Sequence, residues 1–172
     1  MDIRWLVRLL LTFSSTSWML VIFIIKTHFT VWGLPGWVFS LICIFCAILL
    51  SYGALQFTKL LDIDELGELK EISLADNDYI PVYLGYFFVS LSIADGYTLF
   101  FVYTMVLILL TMLDMYFNPI FIFWGYHYYH VVTSEGTRAF VIIRSNERNP
   151  KNISGKNIRR LNNWTFISHT GE

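Results

Sequence analysis

Two histidines in His127-Tyr128-Tyr129-His130 are spaced so that a helix would set both on one face, where they could share a metal ion. The residues around them, Tyr126 to Thr133, are instead aromatic and β-branched, which predicts a strand. On a strand, residues three apart point to opposite faces, so a shared metal is not expected. Cys43-Ile44-Phe45-Cys46 has the CxxC spacing of redox and zinc sites. A reactive thiol needs a helix N-terminus or a nearby cation to lower its pKa, and this pair lies inside an apolar run with neither. The two cysteines therefore read as small packing residues. Asp62-x-Asp64 ahead of Gly67 resembles the start of a calcium loop, but Leu66 stands at the fifth position and Ser73 at the twelfth, where a bidentate Glu is required. There is no Gly-rich phosphate loop, no HExxH and no GxSxG. The chain reads as a non-enzyme, with no catalytic residue, metal or cofactor expected.

Polar residues inside apolar runs are the next candidates. Ser14-Ser15-Thr16-Ser17 lies near the middle of the first such run. Small hydroxyl side chains there can bond back to helix carbonyls and let helices approach closely, or line a polar pore in an oligomer. Arg8 and Asp114 sit near the ends of two apolar runs and are expected to pair or to snorkel to an interface.

Charge is partitioned rather than abundant. The segment 58–79 carries seven acidic residues against Lys59 and Lys70, whereas 118–172 carries seven basic residues against three acidic ones. The two segments should attract one another. Asp62, Asp64, Glu65, Glu68 and Glu71 on one, with Arg138, Arg144, Arg159 and Arg160 on the other, are the candidate partner-docking residues. Ile63, Leu66, Leu69 and Ile72 recur every three residues, which approximates one face of an amphipathic helix packing on the tail or on lipid headgroups. A juxtamembrane basic tail is drawn to anionic lipid by about 1 kcal/mol per charge, so lipid or the acidic loop precedes nucleic acid as its partner. No direct nucleic-acid binding is expected.

These residues must be positioned by apolar elements, since 56% of the 172 residues are hydrophobic and only 15% are charged, against about 25% in a soluble domain. The reading is an α-helical integral membrane protein, a four-transmembrane-helix bundle with a small cytoplasmic C-terminal β-hairpin. Spans are placed at about 5–25, 36–57, 79–94 and 97–117, with the acidic loop 58–78 between the second and third, so that 1–117 forms the transmembrane domain and 118–172 a basic tail. The last two spans follow from length: the apolar stretch 80–117 would reach about 57 Å as one helix, nearly twice the bilayer core, and Ala94-Asp95-Gly96-Tyr97 offers the turn. The first run is too long for a signal h-region and is followed by no cleavage motif, so it reads as a retained span. Eleven of the twelve Lys and Arg residues fall on one side and only Lys26 on the other, which places both termini in the cytoplasm. Glycosylation motifs at Asn152 and Asn163 would be inert there.

In the tail, Asn118-Pro119 should stop the preceding helix. Ser134-Glu135-Gly136 is turn chemistry between strand-like 126–133 and 137–144, and Trp164 to Ile167 offers a further strand. On the second strand, Arg138, Phe140, Ile142 and Arg144 alternate with Ala139, Val141 and Ile143.

The succession YIPVYLGYFFVSLSI, then FNPIFIFWGYHYYHV with its EGT turn and FVIIR strand, then RRLNNWTFI, resembles the KwaA family, membrane subunits of the bacterial Kiwa anti-phage system, over about residues 60–168. The resemblance implies a multi-pass inner-membrane protein that forms a homo-oligomer, a tetramer, senses phage attack at the envelope and works with the cytosolic DNA-binding subunit KwaB. The function expected is an oligomeric sensor and scaffold in the bilayer that docks and controls this effector. The alternative is a small ion-conducting pore that depolarises the membrane.

Overall fold

The computed structural model describes residues 3–28, 33–114, 117–144, 153 and 158–169. They form two compact units. One is built from 8–54 and 80–118, the other from 1–7, 55–79 and 119–172.

The first unit is helical. Helix α1 spans Ile3–Thr27 and α2 spans Gly36–Phe57, and both are long and apolar enough to cross a membrane. Helices α3 (Ile80–Ser92) and α4 (Gly96–Met112) have 13 and 17 residues, or about 20 and 26 Å at 1.5 Å per residue. The expected four-helix transmembrane bundle is therefore corrected: among the described residues there are two helices of spanning length, two shorter apolar ones, and the short α5 (Ile120–Phe123).

Local chemistry explains the truncation. The α3–α4 turn falls at Ala94-Asp95 as the sequence predicts, with Asp95 capping α4 by accepting the Thr98 amide at 2.9 Å and the Thr98 hydroxyl at 2.8 Å. At the far end α4 stops before Asn118-Pro119, because Asp114 adopts a left-handed conformation (φ 56°) just past the last turn. Asp is one of the few residues other than Gly that accepts this conformation. Hydrogen bonds fix the hairpin to α1. Ser90 donates its hydroxyl to the Met19 carbonyl at 2.6 Å, and Met19, Phe23 and Ile93 pack with Leu99, Val102 and Tyr103. Lys26, the one cation at that end in the sequence reading, donates from Nζ to the Leu91 and Ile93 carbonyls at 2.5 and 2.7 Å, covering the open end of α3.

The second unit is a mixed six-stranded sheet, which corrects the expected small hairpin. Its strands are β1 (Ile63–Asp64), β2 (Leu69–Leu74), β3 (His127–Thr133), β4 (Arg138–Ile143), β5 (Ile158–Arg160) and β6 (Thr165–Ser168), in the order β1-β5-β6-β4-β3-β2. The β3–β4 hairpin turns at Gly136, whose positive φ (84°) suits a residue without Cβ. Strand β6 lies parallel to β4 and antiparallel to β5.

The acidic loop supplies both edges, β1 and β2, where an amphipathic helix was expected. Between Leu69 and Ile72 the spacing of three has another cause. The pairing of β2 with β3 slips by one between Leu69 and Glu71, so that Lys70 is an extra, bulged residue. Leu69 opposite Thr133 and Ile72 opposite Val131 thereby fall on the same face, three residues apart. That face holds the core: Leu66, Leu69, Tyr129, Val131, Ala139, Val141, Ile143, Ile153, Ile158 and Phe166, with Ile72 against it. The other face carries Tyr128 and Ile142, both buried, and Phe140, which stacks on Tyr128 and meets Tyr79 edge-on.

Candidate docking surface

The acidic residues divide by what holds them. Asp62 accepts from Arg4 at 2.7 Å, and Asp64 lies 3.6 Å from Arg160. The guanidinium of Arg159 donates to the Leu61 carbonyl. Loop and tail are joined at the β1 edge by the Arg160 and Arg159 contacts and by the β1–β5 ladder.

At the other edge Asp76 contacts His127 Nδ1 at 2.7 Å and accepts the Tyr128 amide at 2.7 Å, while Asp78 lies 3.1 Å from His130 Nε2. The two histidines sit on β3, three residues apart, each facing its own carboxylate.

Glu65, Glu68 and Glu71 have no ion-pair partner among the described residues, and neither do Arg138 and Arg144. Glu65 and Glu68 line a groove of about 420 Å³ with Glu135, Leu66, Phe166 and Trp164, a residue 62% exposed. The sequence reading expected the seven-carboxylate loop and the basic tail to attract one another, and grouped Asp62, Asp64, Glu65, Glu68 and Glu71 together as partner-docking candidates. The fold separates them: Asp62 is engaged by Arg4 of α1 and Asp64 by Arg160 of β5, and the three glutamates are left exposed.

A histidine that the sequence reading passed over closes one end of this unit. His169 Nε2 lies 2.7 Å from Thr58 Oγ1 and Nδ1 lies 2.6 Å from the Tyr126 hydroxyl. The Thr58 hydroxyl donates to the Leu55 carbonyl, so its oxygen accepts from His169 Nε2–H and the Tyr126 hydroxyl donates to Nδ1. This is the neutral tautomer. Burial, reinforced by Lys59, Arg159 and Arg144, pushes the His169 pKa down to about 4. No motif marks it, since its partners are 111 and 43 residues away in the chain.

In the helical unit, Ser14, Ser15, Thr16 and Ser17 are all buried, and each donates its hydroxyl to a carbonyl of α1. Thr16 also meets the Tyr103 hydroxyl at 3.1 Å. Arg8 and Asp114 form an ion pair. Unforeseen in the sequence is Asn118, fully buried, whose amide donates to Ser51 Oγ at 2.8 Å and to Ser14 Oγ at 3.3 Å. Both serine protons go back to their own helices, at Ala47 and Leu11, so the two oxygens are free to accept.

Two helices long and apolar enough to cross a membrane and a charged mixed sheet define a class: a helical unit and a β unit within one chain. Family comparison is more specific. The sequence matches the family model of the anti-phage protein KwaA over residues 7–167, and the chain belongs to that family, with a role in anti-phage defence. No curated protein and no solved structure matches it.

Proposed function

We propose that the chain is a non-enzymatic membrane subunit of its defence system, anchored by α1 and α2, that presents the mixed sheet to the cytoplasm and docks a soluble partner there. The observation that carries this reading is the sheet itself, which keeps Glu65, Glu68, Glu71, Arg138 and Arg144 free of ion pairs among the described residues while other charges hold it together. Unpaired charges on a rigid frame can select a partner at little folding cost. Support for the membrane comes from the apolar side chains exposed along α2 and α4, including Trp37, Phe45, Phe100 and Met105, which water would not tolerate as a continuous surface. Along the chain Arg4 and Arg8 fall at the start of α1 and Lys59 and Lys70 follow α2, with only Lys26 between the two helices, a charge bias that favours a cytoplasmic location for the segment after α2.

In this reading the KwaB-like DNA-binding subunit that the family resemblance implies is the partner, and assembly into a homo-oligomer multiplies the docking sites. Perturbation of the apolar helices would alter how the sheet is presented. The test is co-purification from membranes of phage-challenged cells, using the full chain and its Glu65→Lys/Glu68→Lys double variant. The soluble partner should co-purify with the wild type and be lost from the variant. Equal recovery with both would reject docking at this surface.

The pore alternative draws on the Ser14–Ser17 cluster. Burial of all four side chains within the chain's own helical unit gives that cluster no open face in the monomer, so the docking reading is preferred.

A further inference from the structure

Strand β2 is the longer of the two edge strands of the sheet, and the backbone groups it leaves unused can be assigned. The Ala75 amide donates to the Tyr128 carbonyl at 2.7 Å, which fixes the phase of the β2–β3 ladder. Residues two apart share a bonding direction on a strand, so Glu71 and Ser73 turn their backbone groups toward β3. Ile72 and Leu74 then turn theirs outward. Neither has a further partner among the described residues, and Leu74 is 56% exposed. This edge offers two amides and two carbonyls in register.

Pairing is restricted to that short stretch. The bulge at Lys70 interrupts the ladder on one side, and a bulge carrying Lys is a common way to blunt an edge against uncontrolled association. On the other side Ala75 leaves the strand and Asp76 turns to cap the Tyr128 amide. What remains is an edge of about three residues beside a groove of about 670 Å³ lined by Lys70, Glu71, Ser73, His130, Val132 and Arg138. Lys70 and Arg138 have no ion-pair partner among the described residues, and Glu71 is the single carboxylate of the lining.

We infer that the β2 edge, at Ile72 to Leu74, takes an extended segment of the soluble partner as an added strand, and that this segment alternates apolar with acidic side chains. Backbone bonds to Ile72 and Leu74 supply affinity, in the manner of strand addition at other sheet edges. The apolar side chains continue the row of Leu69, Ile72 and Leu74, and the acidic ones meet the cationic groove. The inference rests on the docking reading above and names the chemistry of its ligand.

The test uses the full chain in neutral detergent and two fluorescent ten-residue peptides, one alternating Val with Glu and one alternating Val with Lys, titrated by anisotropy. The Val–Glu peptide should bind at least tenfold more tightly than the Val–Lys peptide. Leu74→Pro removes an outward amide without removing a ladder bond, and should weaken Val–Glu binding at least tenfold. Arg138→Glu leaves the backbone untouched and should reverse the peptide preference. No preference between the peptides, or equal binding by both variants, would overturn the proposal. So would a lower oligomer mass for Leu74→Pro, which would show that a second copy occupies the edge. If the soluble partner stays bound to both variants, docking stands and this edge is not its site. If the peptides behave as expected but wild type recovers no soluble partner, the docking reading falls and the edge chemistry survives.

Discussion

Replacing Asn118 with Ala should loosen the helical unit more than any surface change. Its side-chain amide is fully buried and donates twice, to Ser51 on α2 and Ser14 on α1. A typical intramolecular hydrogen bond contributes about 1 kcal/mol net. The Ser51 bond at 2.8 Å should carry that in full and the longer Ser14 bond less, and truncating a buried amide leaves a small void, so the loss should be about 2–3 kcal/mol. The assay is reversible unfolding in mixed micelles as the mole fraction of denaturing detergent rises. A double-mutant cycle with Ser51→Ala isolates the pair, because the Ser51 proton already serves Ala47 and its oxygen loses only Asn118. A coupling of about 1 kcal/mol is expected. Coupling below about 0.3 kcal/mol, with Asn118→Ala costing under about 0.5 kcal/mol, would refute the idea that this amide ties the two long helices together.

Other outcomes follow from the same geometry. Lys26→Met should expose the end of α3, seen as faster amide exchange at residues 91–95 with little change in α2, because two carbonyls lose their donor. His169 is held neutral below its ordinary pKa, so the unfolded chain binds its proton first. Stability of the β unit should fall as pH drops from about 6.5 to about 4, and His169→Gln should flatten that part of the profile in thermal melts. Deleting Lys70 should be tolerated to within about 1 kcal/mol, because it removes the bulge and leaves Leu69 and Ile72 on one face; deleting Ser73 instead should turn Leu74 to the wrong face and lower the melting temperature. Asp64→Asn, at an exposed pair, should cost no more than about 1 kcal/mol and lose its effect in high salt.

Much of the sheet was legible because its signals are local. The two faces of β4, the turn at Gly136 and the strand near Trp164 can each be read within a few residues. The helical turn at Asp95 was legible for the same reason. The loop was misread because a bulge spaces apolar residues by three, which a periodicity count assigns to a helix. The span count was misread because an apolar stretch of 38 residues shows that the chain must fold back but gives no length for either arm. The left-handed Asp114 that ends α4 has no sequence signature of its own.

For the candidate site, charge totals brought the loop and tail together but could not say which carboxylates would be engaged. Asp62 and Glu65 both flank β1, yet only Asp62 meets a cation, Arg4, while Asp64 within β1 meets Arg160 of β5. Asn118 and His169 depend on partners more than 40 residues away, which a single sequence does not reveal.

The proposed cytoplasmic placement of the sheet, on a membrane anchor, is tested most directly by labelling a single cysteine. In a chain with Cys43 and Cys46 replaced by Ala, a cysteine introduced at Glu135 in the β3–β4 turn should resist a membrane-impermeant maleimide in intact spheroplasts and react fully after lysis. Full labelling before lysis would place the sheet outside and contradict the account.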